Sequence, residues 1–98
     1  ALAHAKKEMT QPVDGAVLPT PPKIIALTFD TLMRVTLITL TDQDGNKHRL
    51  TRSDEMQPVT KFSARPAVLP AGAYTIEWRG LADDGHPMQG SFSFEVRD

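Results

Sequence analysis

From Lys23 to Asp30 (KIIALTFD) the chain is rich in β-branched and aromatic residues, and alternation puts Ile25, Leu27 and Phe29 on one face. Arg34 to Thr41 (RVTLITLT) sets Val35, Leu37 and Thr39 opposite Thr36, Ile38 and Leu40. Apolar groups then fall on both faces, which predicts a separate, fully buried strand. Ala73 to Arg79 aligns Tyr74, Ile76 and Trp78, and Ser91 to Arg97 aligns Phe92, Phe94 and Val96, so both read as strands with one face in a core. Lys47 to Thr51 and Val59 to Ala64 add two shorter strands.

The intervening segments are turns. Asp42-Gln43-Asp44-Gly45-Asn46 has the residues of a hairpin loop, because Asp-Gly and Gly-Asn favour positive φ. Pro12-Val13-Asp14-Gly15 and Leu69-Pro70-Ala71-Gly72 also turn the chain, and Pro19, Pro21 and Pro22 hold the segment before Lys23 extended. Arg52 to Gln57 is expected to be a polar loop and Gly80 to Gly90 a longer connection. Short strands at about 8–12-residue spacing, with no helical period, argue for an all-β sandwich.

Composition narrows the chemistry. A chain of 98 residues folds around one core, burying about 60–70% of the surface its unfolded form exposes. The mostly apolar run from Ile24 to Leu40 is broken by Thr28, Asp30, Thr31, Arg34, Thr36 and Thr39, so no membrane insertion is expected. The absence of cysteine excludes thiolate zinc sites, iron–sulfur clusters and a cysteine nucleophile. With 11 basic against 12 acidic residues, no nucleic-acid partner is expected either. There is no nucleophile elbow, phosphate loop or HExxH, so the chain is read as a non-enzyme.

Three histidines remain. Asp83-Asp84-Gly85-His86 places a carboxylate and an imidazole two residues apart, which in an extended segment would face one ion. A simple Asp-Gly turn with a solvated His86 accounts for the same residues. The chain starts Ala1-Leu2-Ala3-His4, the A-x-A pattern of a signal-peptidase site, although such a pattern also arises by accident. If Ala1 to Ala3 are an export or cloning remnant, the domain runs from 4 to 98. Its first residue, His4, then offers an α-amine and Nδ1 as a chelate. With His86 and Asp84 that makes three nitrogens and one oxygen, a set suited to Cu(II). His48 lies between cations and reads as surface, Asp83 is a fallback ligand, and Met9, Met33, Met56 and Met88 are too scattered for a soft-metal cluster.

Taken together, these residues resemble the CopC-type family of copper-resistance proteins from His4 to the end. The resemblance is carried by His4-Ala5, Pro12-Val13-Asp14-Gly15-Ala16-Val17-Leu18 and Leu27-Thr28-Phe29, then by Leu69 to Trp78 (LPAGAYTIEW) and Asp84-Gly85-His86 with Gly90 and Phe94. It implies an immunoglobulin-like Greek-key β-sandwich or barrel of about seven strands. It also implies export to the periplasm and one Cu(II) ion held by His4, Asp84 and His86, and it favours the signal-peptide reading of Ala1 to Ala3. The implied role is a monomeric copper buffer or carrier serving resistance and homeostasis, which hands copper to an inner-membrane copper transporter.

Two departures from the family stand out. Many relatives have Ser-Glu-Pro-Val after the early Phe, whereas this chain has Asp30-Thr31-Leu32-Met33, so Thr31 replaces a glutamate that can lie near copper. Nothing matches the methionine-rich loop that some relatives use for Cu(I), so no separate Cu(I) site is expected. Two alternatives stay open: a copper oxidoreductase built on an amine and two imidazoles, and a metal-free immunoglobulin-like interaction module.

Overall fold

The computed structural model describes residues 9–97. Eight strands follow one another: β1 (Met9–Gln11), β2 (Ala16–Leu18), β3 (Ile25–Asp42), β4 (Lys47–His48), β5 (Leu50–Arg52), β6 (Val59–Pro66), β7 (Gly72–Ala82) and β8 (Pro87–Val96). No helix occurs among the described residues. The expected all-β sandwich is the architecture observed, with strand order β2-β8-β7-β3-β6-β5 and with β1 and β4 also paired to β3.

β3 is the organising element. The sequence pattern predicts two strands where the chain runs as one strand of 18 residues. Drawn straight at about 3.3 Å per residue it would measure roughly 60 Å, yet the longest dimension of the molecule is 42 Å. The strand therefore bends. Its first part pairs with β1 and β6, from Ile25↔Ala64 to Thr28↔Lys61. Its second part pairs with β7 from Met33↔Ala82 to Asp42↔Tyr74, and β4 adds to its end. Between Thr28 and Met33, five steps along β3 match two along β6 (Lys61 to Val59), so the extra residues form a corner that carries β3 from one layer into the other.

A second bulge explains the misleading pattern of Arg34 to Thr41. Val35 pairs with Gly80 and Leu37 with Arg79, so Thr36 is the inserted residue. The alternation changes phase there. Ile25, Leu27, Phe29, Met33 and Val35 face inward before the bulge, whereas Leu40 is buried and Ile38 packs against the core after it. Leu37 consequently lies 49% exposed. Apolar residues on both nominal faces record a phase shift, where the pattern alone suggests burial on both sides.

The core joins both layers. Tyr74, Ile76 and Trp78 of β7 and Phe92, Phe94 and Val96 of β8 are buried as expected, beside Phe62 and Leu69. Phe29 meets Trp78 edge-on at 5.3 Å between ring centroids, and Tyr74 stacks on Phe94 at 5.5 Å. Arg52 braces the bulge: its guanidinium donates to the Val35 carbonyl at 2.5 Å and to both oxygens of Asp54, and lies 5.0 Å from the Phe62 ring centroid.

Two further expectations are corrected. Lys47 to Thr51 divides into β4, paired with β3, and β5, paired with β6, because the chain crosses between layers at Arg49. Gly80 to Gly90 is mostly strand, since the β7–β8 ladder continues to Leu81↔Pro87 and leaves a tight turn at residues 83–86.

Candidate metal-binding turn

The turn between β7 and β8 is closed by its own backbone. The Ala82 N–H donates to the His86 carbonyl at 2.8 Å, and the Gly85 N–H donates to the Ala82 carbonyl at 2.8 Å. Gly85 has φ of 87°, a left-handed conformation that glycine adopts without steric cost. Asp84 and His86 are thus brought together by a bend, and not by the alternation of an extended segment.

Their side chains meet directly. One Asp84 oxygen, Oδ1, accepts the His86 N–H at 3.1 Å, and the other, Oδ2, lies 2.8 Å from His86 Nδ1. The backbone bond fixes the carboxylate, and the carboxylate in turn orients the imidazole. These bonds, the His86 ring first, hold the Asp84 carboxyl below the usual carboxylate range. The pair is open to solvent, with side chains 73% (His86) and 66% (Asp84) exposed. Asp83, in the same turn, lines a shallow cleft of about 250 Å³ with Leu32, Arg34, Pro58 and Leu81.

Of the three predicted ligands the structure brings two together. His4 lies outside the described residues. Among those described, no three His, Cys, Asp or Glu side chains converge. β1 nevertheless has a definite direction. It runs antiparallel to β3, with Met9 opposite Thr28, so its first residue is at the end facing Met33. Met33 pairs with Ala82, immediately before the turn.

The remaining candidates fall elsewhere. His48 is not solvated surface: its Nε2 lies 2.9 Å from Asp42 Oδ2, its side chain is 21% exposed, and its ring meets Tyr74 edge-on at 5.5 Å. Alternation on the two-residue β4 turns it toward the aromatic cluster, which its charged neighbours in sequence conceal. Met33 is core and Met88 packs against the core, whereas Met9 and Met56 are exposed. Thr31 is exposed at the corner of β3. Gly80, expected in a connection, is instead a buried residue of β7 against which the Arg34 carbonyl packs, and a lone glycine inside a strand is the usual signal of such close backbone approach.

Comparison with known proteins adds an independent line. A CopC domain matches residues 8–97. Copper resistance protein C of Xanthomonas campestris pv. juglandis is 30% identical over 112 residues, covering 99% of this chain and 83% of that protein. Copper resistance protein C of Pseudomonas syringae pv. tomato is 28% identical over 105 residues with the same coverage of 99% and 83%. Among solved structures, CopC from Methylosinus trichosporium OB3b superposes with a TM-score of 0.75 at 20% identity, over 91% of this chain and 92% of that one. PcoC, a methionine-rich copper resistance protein from Escherichia coli, gives a TM-score of 0.67 at 22% identity, over 91% and 94%. At such identities the superpositions speak for the fold alone.

Proposed function

The chain belongs to the CopC family, and from that premise we propose that it is a periplasmic protein that binds one Cu(II) ion through His4, Asp84 and His86. It buffers or carries copper in resistance and homeostasis, and passes the ion to an inner-membrane copper transporter. Copper is its cargo, exchanged between ligand sets without any bond made or broken in a substrate.

One observation carries this reading: the 2.8 Å between Asp84 Oδ2 and His86 Nδ1. Two donors at right angles on an ion with bonds of about 2.0 Å sit about 2.8 Å apart. The pair can therefore exchange a shared proton for a shared metal with little movement. Its exposure suits an ion that must enter and leave. An α-amine and the imidazole of His4 would bring the set to three nitrogens and one oxygen, which suits Cu(II) among the common divalent ions.

Chain length supports the participation of His4. The five residues after it, ending at Met9, can extend about 17 Å, and the step along β3 from Thr28 to Met33 is also five residues. The relative from Escherichia coli is described as methionine-rich. Here the four methionines are divided between core and surface, which supports a single site for the oxidised ion.

The test is Cu(II) titration with electron paramagnetic resonance on chains beginning at His4 and at Ala1. Tighter binding by the His4 chain, with a nitrogen coupling lost in His86→Ala, is the expected result. Equal affinities would remove the α-amine from the site. An unaltered spectrum in His86→Ala would overturn the site, and a second, tightly held equivalent of Cu(I) would overturn the single-site reading.

A further inference from the structure

β8 is flanked unequally. On one side the β7 ladder runs without a break from Leu81↔Pro87 to Gly72↔Val96. On the other side β2 covers only Phe94 to Val96, and Asp14 and Gly15 extend that cover to Ser93. Pro87 to Phe92 therefore has no strand on this side among the described residues. The Ser93 N–H donates to Asp14 Oδ1 and its carbonyl accepts from the Gly15 N–H, so both groups point away from β7. Because the β7 register is unbroken, the backbone groups of Gln89 and Ser91 share that direction. They form an open edge immediately after the metal-binding turn.

Open edges are normally protected by charge, proline or shortness. Arg34, Lys47, Arg52 and Lys61 stand on β3, β4, β5 and β6, and a proline directly follows both β1 and β2. Pro87 to Phe92 (PMQGSF) carries no charge, and its one proline stands at the first position. An antiparallel copy of the same stretch fits it. With Gln89 on the two-fold axis, Gln89 meets Gln89, Ser91 meets Pro87 and Met88 meets Gly90 of the second copy. Two N–H groups from Gln89 and two from Ser91 then find carbonyls across the axis. Each half-buried Met88 lies over the other copy's Gly90, where no side chain competes. An axis at Gly90 or Ser91 would instead set the second copy against Ser93, where Asp14 and Gly15 already lie.

We propose that this edge is the contact surface for a second copy of the chain, joining two β8 strands into one continuous sheet. The dimer goes beyond the copper reading and does not depend on it. At high concentration it replaces the monomer that the family resemblance implies. The contact is short, and interfaces under about 1,200 Å² belong to weak, reversible associations. A dissociation constant of about 0.1–1 mM is expected. His86 is three residues from the axis, so the two metal-binding turns stand about 20 Å apart, at opposite ends of the contact, and both stay open.

Sedimentation equilibrium of the full chain between about 10 μM and 1 mM tests the dimer. A parent chain that stays monomeric throughout overturns the proposal. Gln89→Pro removes an N–H that points away from β7 and leaves the β7 ladder intact, so the chain still folds, as Trp78 fluorescence checks. With its two central bonds gone, dimerisation is expected to weaken about tenfold or more. Gln89→Lys sets like charges opposite each other on the axis and is expected to weaken it about fivefold. Gln89→Glu should weaken it less, because Arg79 stands opposite this position on β7. An equal mixture of the two charged variants is expected to associate again, as a heterodimer. Dimers as strong in Gln89→Pro and Gln89→Lys as in the parent would place the contact elsewhere and overturn the proposal. Amide exchange of the parent should slow with concentration at Gln89 and Ser91. Unchanged exchange at both residues in a dimer is equally contrary.

Discussion

The β3–β4 and β7–β8 hairpins are closed by the same turn and used differently. In each, the first residue donates its N–H to the carbonyl four residues on, and the glycine donates back to the first residue: Asp42 with Asn46 and Gly45, Ala82 with His86 and Gly85. The glycines have φ of 86° and 87°. Each turn also carries a histidine–aspartate pair, at 2.9 Å for His48–Asp42 and 2.8 Å for His86–Asp84. What differs is where the pair lies. Asp42 is the first residue of its turn, and its carboxylate accepts the N–H groups of Asp44 and Asn46 as well as meeting His48 on β4. That pair, about four-fifths covered, leans on Tyr74. Asp84 sits at the tip of its turn, so its histidine stays within the loop and faces water. The same two side chains serve as a structural brace in one hairpin and offer exchangeable donors in the other.

Exchanging the histidines is the strongest way to break this contrast. His86→Ala is expected to lower Cu(II) affinity by more than about 100-fold, a ligand counting for more than the supporting contacts around it, and to leave the melting temperature nearly unchanged. His48→Ala should do the reverse. It would spare copper binding and cost about 1 kcal/mol of stability through the lost contact with Tyr74. Copper titration and thermal unfolding of both variants check this. If His48→Ala weakened copper binding, the division of roles would collapse.

The glycines sharpen it further. Gly45→Ala and Gly85→Ala each force a left-handed alanine, at about 1–2 kcal/mol. Similar losses of stability are expected by urea unfolding, because the two turns are closed by the same pair of backbone hydrogen bonds. Only Gly85→Ala should also weaken Cu(II), by distorting the placement of Asp84 and His86.

The smallest effect is that of acid. Asp42 is held below the usual carboxylate range by His48 first, then by the Asn46 N–H; Asp84 is held down by His86. A depressed folded-state value means that each carboxylate contributes stability above its unfolded value of about 3.9. That contribution is lost as pH falls through the lower folded value. Melting temperatures compared at pH 6 and pH 3 should fall less in Asp42→Asn than in the parent. Asp84→Asn should flatten the curve less, because Asp84 is more exposed and more screened. Equal flattening would indicate that burial does not distinguish the pairs.

Much of the fold is readable from residue patterns because strand burial has a period of two. Ile25, Leu27 and Phe29, the Tyr74–Ile76–Trp78 triplet and the Phe92–Phe94–Val96 triplet each mark an inward face, and all are buried. The two Asp-Gly turns are readable because positive φ is a local demand. The proximity of Asp84 and His86 is equally local, and two residues of spacing suffice to anticipate it.

Other features depend on residues far apart in the chain. The bulge at Thr36 arises from pairing with β7, and a single inserted residue inverts every later side chain on β3; no local pattern separates this from a strand buried on both faces. Asp30, Thr31 and Leu32 join two parts of β3 that pair with segments far apart in the chain, β1 and β6 before them and β7 after them. His48 looks like surface beside Lys47 and Arg49, and becomes a brace only because β4 docks next to Tyr74. Gly80 looks like a loop residue until the Arg34 carbonyl is found against it. Local conformation and donor chemistry were therefore present in the order of amino acids. Tertiary structure decided which histidine is spent on packing, which is left to solvent, and how closely the corner of β3 approaches the turn, because burial and close approach are properties of chain segments that meet only once folded.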